Sequence, residues 1–469
     1  PVKIRLKGDW TDHIIGKKWS LRIETDNNEL FQGLKEFSLQ SPETRDFLNE
    51  WLFHEICHQE NILSTYYDFY RLKINGVNYG IYALEEHFGK YLVENSKYRE
   101  GPILKISEQD KRNAKMSKLT RNWKGSVTNW EASQNNAEIS SFNASKFSSY
   151  KQKVAQFELG RRLLDQFLQN KLKTSEVFDV KKTAKYFAIC DLLQAHGANT
   201  WYDMRFYFDP ITARLIPIGF DAQIKIINEN RKLSIDQNPL KIFDDPIFVK
   251  EYISSLEELT SNNYLDKFFK KINKNLNKEL LLLNKTFPFV RFLKDEFYKN
   301  NIYIKNRLSP SNPVGINFFN SFENEQFLNL EIFNKYKLPI EILAVKFKNK
   351  KYIVNSDNIL DGKKDFNRVQ NQTINFKIAD DFKLNTKEIK EIVQINNQSL
   401  YDIILFYKIN GKKRTESLYF KAFKQTINSE IKDKIISKKS TINQFDSLFE
   451  DKKNETIFIK EDIIINKPL

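Results

Sequence analysis

The sequence predicts an α+β protein with a mixed domain at residues 1–310 and an all-β domain at residues 314–425. In the mixed domain, segments with alternating apolar residues, typical of strands, are interspersed with segments whose apolar residues recur at helical spacing. A boundary is indicated by the serines and prolines of residues 309–313, because the residue before a proline disfavours helix. Several short alternating segments follow and are typical of an immunoglobulin-like β-sandwich.

Length and composition indicate a folded chain with more than one domain. The 469 residues exceed what one hydrophobic core usually supports, and 41% of them are hydrophobic. The net charge of +15 favours anionic partners such as nucleotides. Because the basic residues are scattered and not interleaved with aromatic residues, we expect no specific nucleic-acid binding. The two cysteines are too few for a disulfide framework, and no apolar run is long enough to span a membrane.

The first part of the mixed domain is predicted to contain strands, a helix and a hairpin. Alternation predicts strands at residues 2–7, 19–23 and 34–39, and helical spacing predicts a helix at residues 44–59. The pair Asn75-Gly76 permits the positive φ angles of a type I′ turn, so it predicts a β-hairpin. Residues 108–150 are rich in Ser, Asn and Lys, and we expect a surface insertion or lid there.

The remaining sequence predicts helices, a second hairpin and further strands. Helices are expected at residues 154–167, 178–193, 247–259 and 265–283, and a hairpin at residues 204–220 with Pro210 in its turn. In the all-β domain, residues 328–332, 374–378 and 403–409 alternate, and Asn410-Gly411 predicts another turn. Residues 426–469 are interpreted as a linker and the start of a further β unit. Because strand-like segments stand near both ends, we expect a chain cut at both termini.

Two aspartates at the ends of the second hairpin are the first candidates for chemistry. Asp203 precedes the first predicted strand and Asp221 follows the second, and the two ends of a hairpin lie close together. Neighbouring carboxylates can bind Mg²⁺, which phosphoryl-transfer enzymes use to neutralise phosphate charge. The alternative is structural, since Asp often ends strands or starts turns.

Basic residues in the early strands are the second candidates. They are Lys7, Lys17, Lys18, Arg22 and Lys35, with Lys105 in a later apolar run. A cation presented from a sheet toward a cleft would contact phosphates, although such residues also form the solvent face of an alternating strand. Glu85 and Glu86, at the end of the first hairpin, could pair with one of these lysines, could hold metal, or could start an exposed helix. The sequence contains no glycine-rich phosphate loop.

These segments, taken in order, resemble the CotH family, named for spore coat protein H, whose members have a divergent protein-kinase-like fold. The resemblance extends from residue 1 to about residue 310 and rests on an ordered set of segments. Those segments are residues 5–10, 18–23, 34–40, 72–76, 79–86, 205–210 and 217–221, together with the helix that contains Arg45. The resemblance implies a two-lobed atypical kinase-like domain in front of the sandwich.

The resemblance also implies an activity and a set of site residues. A CotH-like protein would use ATP and Mg²⁺ (or Mn²⁺) to phosphorylate Ser or Thr of a bacterial surface or spore-coat type of protein, which favours an extracytoplasmic or cell-surface location. Asp203 and Asp221 would then be both catalytic and metal-binding. Lys18, Arg22 and Lys105 would be phosphate contacts, and Glu85 or Glu86 would be an ion-pair partner at the nucleotide.

Two departures from the family pattern leave a second interpretation open. Between Asp191 and Asp203 the chain has only His196 and Asn199 in place of a base Asp, and Gln223 stands where many relatives have a second acid. The alternative is a non-catalytic CotH-like surface or scaffold protein that binds a partner. A third hypothesis, binding of an anionic polymer, rests on charge alone.

Overall fold

A computed structural model gives the structure of most of the chain. It describes residues 2–8, 11–14, 16, 18–26, 29–107, 138–144, 149–227, 230–237, 241–322, 326–348, 350–355, 358–363, 371–379, 393–395 and 398–423. The chain divides into two units, the first from Pro1 to Ser309 and the second starting at Pro310. Both helices and strands are present, as the sequence predicts. Within the ranges just given, no helix is long and apolar enough to cross a membrane.

The first unit begins with a five-stranded antiparallel sheet in the order β1-β2-β3-β5-β4. Its strands are β1 (Val2–Leu6), β2 (Leu21–Thr25), β3 (Glu36–Gln40), β4 (Tyr67–Ile74) and β5 (Val77–Glu86). At the β4–β5 turn, Asn75 and Gly76 have φ angles of 49° and 80°, as a type I′ turn requires. The predicted hairpin is therefore confirmed.

The two faces of this sheet differ in polarity because side chains alternate along each strand. Residues opposite each other on neighbouring strands share a face, and one row across the sheet consists of Arg22, Ser38, Glu85 and Tyr67. The other face is apolar, with a cluster formed by Ile23, Leu34, Phe37, Leu39, Tyr82 and Leu84. The polar face carries the candidate site.

The helix predicted at residues 44–59 is interrupted near its start. A short 3-10 turn, Pro42–Arg45, is followed by α1 (Leu48–Gln59). Between them, Asp46 and Phe47 have φ angles of 53° and 57°, which an α-helix cannot contain. The prediction of one continuous helix is wrong here, since periodic apolar residues do not reveal a local left-handed backbone.

The rest of the first unit combines helices with a four-stranded sheet in the order β7-β6-β8-β9. Its strands are β6 (Ile103–Ile106), β7 (Ile139–Ser141), β8 (Arg205–Asp209) and β9 (Arg214–Ile218). Its helices are α2 (Lys90–Asn95), α3 (Lys151–Leu168), α4 (Thr174–Val177), α5 (Val180–Leu193), α6 (Ser234–Gln237), α7 (Pro246–Leu259), α8 (Tyr264–Asn284) and α9 (Lys294–Arg307). The predicted β8–β9 hairpin is confirmed, whereas most of the predicted insertion lies outside the described residues.

Helix α5 forms the centre of the first unit. Asp179 caps its start by accepting a hydrogen bond from the Lys182 amide at 3.1 Å. The helix is apolar around nearly its whole circumference and packs against α1, α7 and α9, as expected for a central buried helix. Cys57 and Cys190 are buried, unbonded thiols in this core.

The second unit consists of strands that belong, as far as it is described, to one nine-stranded sheet. They are β10 (Val314–Phe322), β11 (Phe327–Asn334), β12 (Ile340–Phe347), β13 (Lys350–Val354), β14 (Ile359–Leu360), β15 (Asn371–Ile378), β16 (Val393–Ile395), β17 (Gln398–Ile409) and β18 (Glu416–Phe423). β10 and β18 approach each other, so the sheet is nearly a closed barrel. An immunoglobulin-like sandwich, which needs two separate sheets, is not confirmed. The predicted linker and further β unit at residues 426–469 lie outside the described residues.

Candidate functional site

A buried ion pair lies on the polar face of the first sheet. Lys7, which follows β1, donates from Nζ to Glu85 Oε2 at 2.5 Å and to Gln40 Oε1 at 3.2 Å. The side chains of Lys7 and Glu85 are only 13% and 2% exposed. Desolvation lowers the pKa of Lys7, and the Glu85 charge offsets this only in part. Desolvation alone would raise the pKa of Glu85, but the charges of Lys7 and Arg45 outweigh it and lower that pKa.

A second ion pair joins the 3-10 turn to the end of the β8–β9 hairpin. Arg45 Nε lies 3.3 Å from Asp221 Oδ1, and both side chains are largely buried. Asp221 has a left-handed backbone with φ 57°, and the amide of the next residue, Ala222, donates to Glu50 Oε2 at 2.8 Å. Gln223 Nε2 also donates to Asp221 Oδ1 at 3.0 Å. The Asp221 carboxylate is therefore fixed from several sides.

The loop after α5 packs directly against Asp221. The amide of Gly197 donates to Ala222 O at 3.2 Å. A Cβ atom at residue 197 would lie 2.7 Å from Gln223 Cβ and 2.8 Å from the Asp221 carbonyl oxygen, so only glycine fits. Further along the loop, the amide of Asp203 donates to Thr200 O at 2.8 Å. This loop thus sets the distance between the segments that carry the two candidate aspartates.

Asp191 supports the same loop from inside the protein. Its Oδ1 accepts hydrogen bonds from the Ser234 amide at 2.8 Å and the Ser234 hydroxyl at 2.6 Å, and its Oδ2 accepts from the Tyr252 hydroxyl. Asn199 Nδ2 in turn donates to Ser234 Oγ at 2.8 Å. Burial raises the pKa of Asp191 to about 7. Because these partners occupy both carboxylate oxygens, Asp191 of α5 has a structural role and supports the loop through Ser234 and Asn199.

The structure places Asp203 and Asp221 beyond the same end of the β8–β9 hairpin. Arg205 pairs with Ile218, so the two aspartates leave the ladder on the same side. Asp221 is 8% exposed and Asp203 is half-buried. Among the described residues, no group of three or more His, Cys, Asp or Glu side chains is arranged to hold a metal ion. An ion at this end would have to share its coordination between these carboxylates and oxygens of a ligand or solvent.

Among the basic residues predicted to contact phosphates, Arg22 is hydrogen-bonded to residues of this polar face. Its guanidinium donates to Ser38 Oγ at 3.1 Å, to Glu36 Oε1 at 3.1 Å and to His87 Nδ1 at 2.7 Å. Its charge also lowers the pKa of Lys7, after the larger effect of desolvation. Arg22 therefore lies between the Lys7–Glu85 pair and the residues that follow β5.

The structure does not bring Lys18 to Glu85. Lys18 Nζ donates to the carbonyl oxygens of Tyr79 and Ile81 at 2.7 and 3.0 Å and lies 4.5 Å from the centre of the Tyr82 ring. Lys105 Nζ lies over the Phe142 ring at 4.9 Å. The lysine that pairs with Glu85 is Lys7, a member of the basic set in the early strands but not one of the three predicted phosphate contacts. The signal that could have identified Lys7 is its alternation with Arg5, which places both side chains on the same side of the chain at the end of β1.

Glu86, the neighbour of Glu85, has a different environment. Its side chain lies on the opposite face of β5, where Oε2 accepts the Tyr66 amide at 3.1 Å. Its other oxygen, Oε1, is buried and has no hydrogen-bond partner in the described part of the chain. Burial raises the pKa of Glu86 to about 7. The pKa values of two adjacent glutamates are therefore shifted in opposite directions: nearby cations lower that of Glu85, and burial raises that of Glu86.

The variant Glu86→Gln is expected to be more stable than the wild type above neutral pH. Because the folded-state pKa is raised from 4.5 to about 7, the folded protein holds a proton that the unfolded chain loses in this interval. Stability must then fall as pH rises through it, by roughly 1–3 kcal/mol, and the amide avoids this loss. Urea unfolding at about pH 4 and about pH 8 measures the difference. The neighbouring Glu85→Gln is the matched control and should destabilise at about pH 8; a Glu86→Gln advantage that does not grow with pH would contradict the assignment.

A cavity of about 340 Å³ lies beside Arg22 and its partners. Its lining includes Glu36 and His87, which Arg22 contacts, and the apolar side chains Phe88, Ile103 and Phe142. This volume is within the range of small-molecule pockets, which combine apolar walls with a few polar groups. The cavity is thus adjacent to the polar face and differs from it in character.

Three polar atoms on the polar face lack hydrogen-bond partners among the described residues. They are Gln40 Nε2, the Tyr67 hydroxyl and Glu85 Oε1, and all three are buried. Since buried polar groups are normally paired, such atoms indicate where water or a ligand binds. The surrounding charges are the cations Lys7 and Arg45 and the carboxylate of Asp221. Cations of this kind could contact a phosphate, and the carboxylate could contact a divalent cation bound to it.

The first unit is thus a mixed α and β structure with two buried ion pairs, Lys7–Glu85 and Arg45–Asp221, and a cavity of small-molecule size. The chain matches the family described as CotH kinase protein over residues 4–281, which is more than half of its 469 residues. It belongs to the CotH family, as the sequence resemblance predicted. No curated protein matches the chain.

Proposed function

We propose that the protein is an ATP- and Mg²⁺- (or Mn²⁺-) dependent phosphotransferase that phosphorylates Ser or Thr of a protein, and that its first unit has the two-lobed arrangement of a kinase. The observation that carries the proposal is the association of the Lys7–Glu85 and Arg45–Asp221 pairs in one buried cluster. Arg45 is close enough to affect the pKa values of both Lys7 and Glu85. A cluster of this kind supplies fixed cations for phosphates next to a carboxylate for metal.

The cavity suits the base of the nucleotide. A purine ring would pack against the apolar surface that Phe88 and Phe142 form together, since their ring centroids lie 4.7 Å apart, and the backbone after β5 would provide hydrogen-bonding groups. The triphosphate would extend past Arg22 toward Lys7. Because Glu85 holds Lys7 and Arg22 is tied to Ser38 and Glu36, both cations would be positioned before the nucleotide binds.

The reaction requires little more of the protein than position and charge. Bound Mg²⁺ would neutralise the developing charge on the transferred phosphoryl group. Asp221 and Asp203 would hold the cation, and Lys7 would contact the phosphates. No base Asp precedes Asp203 in the loop, and Asp191 is committed to Ser234 and Tyr252. A loose transition state tolerates this, since the hydroxyl proton can leave late.

Label transfer from ATP to a Ser/Thr-rich acceptor protein tests the proposed function. Wild-type protein is expected to transfer label only with Mg²⁺ or Mn²⁺, and Asp221→Asn is expected to lose at least about 10²-fold of this activity because it removes a charged metal ligand. Calorimetry with ATP runs in parallel. Equal labelling by the wild type and Asp221→Asn would contradict the proposal, as would the absence of nucleotide binding.

One contact favours a second candidate, a CotH-like scaffold protein without turnover. Gln223 Nε2 donates to Asp221 Oδ1 at 3.0 Å and so competes with a metal ion for that oxygen. Gln223 is also the residue that stands in place of a second acid. A scaffold protein predicts nucleotide or partner binding without label transfer under any metal condition, which the same pair of assays detects.

A further inference from the structure

We propose that Glu50 is a positioning residue that holds Asp221 in place through the backbone and thereby couples helix α1 to the metal-binding end of the hairpin. This inference rests on the proposed function, since the geometry that Glu50 maintains matters only if Asp221 binds a cation. Glu50 does not contact the nucleotide or metal positions assigned above. Its contacts are with backbone and with other side chains of the first unit.

The hydrogen bond from Ala222 to Glu50 stabilises an unfavourable backbone. Asp221 has φ 57°, a region that non-glycine residues enter at a cost of about 1 kcal/mol or more. Glu50 is 1% exposed, and its Oε2 accepts the Ala222 amide at 2.8 Å. A hydrogen bond from a backbone amide to a buried carboxylate is of the charge-assisted kind, about twice as strong as a neutral one. Glu50 is thus placed to maintain the local conformation that aims Asp221.

The carboxylate of Glu50 is itself oriented by its own helix. Its second oxygen lies 3.2 Å from Nε2 of His54, one turn further along α1. The His54 ring stacks on the Tyr67 ring with an interplanar angle of 8° and a centroid distance of 5.5 Å. Tyr67 belongs to β4 and lies opposite Glu85 in the polar row of the sheet. Direct contacts therefore connect three elements: the polar face of the sheet, helix α1 and the turn at Asp221.

The helix therefore reaches Asp221 along two routes. Arg45, in the turn before α1, binds the Asp221 carboxylate, and Glu50, in the first turn of α1, binds the amide that follows. A displacement of α1 by the length of a hydrogen bond would release both. The position of α1 and the orientation of the Asp221 carboxylate are therefore coupled through these two contacts.

The test compares Glu50→Ala, Glu50→Gln and the control Glu55→Ala, which lies on the same helix beside Asp68. Amide hydrogen exchange of the Ala222 segment is measured without ligand, and Mn²⁺ affinity is measured by electron paramagnetic resonance with a non-hydrolysable ATP analogue. Glu50→Ala is expected to exchange faster at Ala222 and to bind Mn²⁺ about 10- to 100-fold more weakly. Glu50→Gln retains an acceptor oxygen and is expected to recover most of the affinity, and Glu55→Ala should match the wild type.

The outcomes separate this inference from the proposed function. The positioning role is overturned if Glu50→Ala binds Mn²⁺ as tightly as the wild type does. It is also overturned if Glu50→Gln and Glu55→Ala lose as much Mn²⁺ affinity as Glu50→Ala. In either case, Mn²⁺ binding by the wild type with the analogue would still support the proposed function. If the wild type binds no Mn²⁺ with the analogue, both proposals are overturned. If Glu50→Ala does not fold, the inference stands or falls on Glu50→Gln, whose Ala222 exchange should stay close to that of the wild type.

Discussion

The double variant Lys7→Met, Glu85→Met is expected to lose phosphoryl transfer by at least about 10²-fold while keeping a free energy of unfolding close to that of the wild type. Both side chains are buried and pair with each other, so two apolar residues of similar length can replace them without leaving an unpaired charge. The phosphate contact assigned to Lys7 disappears at the same time. Label transfer and urea unfolding on the same preparation measure the two effects.

The single variant Lys7→Met is expected to lose stability as well as activity, unlike the double variant. It leaves Glu85 buried without its main partner, which typically costs about 3–5 kcal/mol. Lys18→Met is the matched control for activity, because Lys18 binds the carbonyl oxygens of Tyr79 and Ile81 instead of Glu85. A double variant that transfers phosphate at the wild-type rate would show that Lys7 has no role at the nucleotide.

Gly197→Ala is expected to lower the free energy of unfolding by about 1–3 kcal/mol and to impair the site at the same time. The added methyl group would overlap Gln223 Cβ and the carbonyl oxygen of Asp221, and neither can withdraw without moving the Asp221 backbone. Urea unfolding measures the stability change, and Mn²⁺ affinity measures the effect on the site.

The sign of the Gly197→Ala effect makes the test decisive. Gly197 is not among the glycines with positive φ, and glycine-to-alanine substitutions at compatible backbone angles usually stabilise a protein by about 0.4–1 kcal/mol. Any stabilisation would therefore contradict the close approach between this loop and the Asp221 segment. A loss of stability with unchanged Mn²⁺ affinity would show that the loop does not set the position of Asp221.

Local patterns in the sequence predicted the elements whose formation depends on neighbouring residues. The Asn75-Gly76 pair identified its hairpin because both positions require positive φ, and the helix predicted at residues 178–193 is α5, which begins directly after its cap Asp179. The two ends of the β8–β9 hairpin likewise follow from chain order alone. These predictions needed no knowledge of distant parts of the chain.

Elements whose stability comes from distant partners were not predictable in the same way. Helix α9 was missed because Asn300 and Asn301 occupy buried positions where the pattern expects apolar residues, and Asn300 Nδ2 is satisfied by the carbonyl oxygens of Asp191 and Leu192. The closure of the second unit into one sheet depends on which strands pair. Alternation does not specify that pairing.

The candidate site was predictable only in part, because some of its contacts join residues that are far apart in the chain. Asp203, Asp221, Arg22 and Glu85 were identified because each ends or faces a regular element. Lys18 was preferred to Lys7, although only the pairing of β1, β2, β3 and β5 determines which lysine reaches Glu85. The contribution of Glu50 was not predictable, since its partner is a backbone amide 172 positions further along the chain.

The contrast between Glu85 and Glu86 has a consequence for how the first sheet assembles. A slip of β5 by one residue would turn Glu86 toward Lys7 and would still allow an ion pair, so the attraction between opposite charges alone does not distinguish the two alignments. The slipped alignment would, however, place Glu85 on the face that Glu86 now occupies and would turn Leu84 out of the apolar cluster. Because either glutamate can pair with Lys7 and a buried glutamate can be neutralised by a proton, the correct alignment is selected by Tyr82 and Leu84, the residues that β5 contributes to the apolar cluster, and not by the charges.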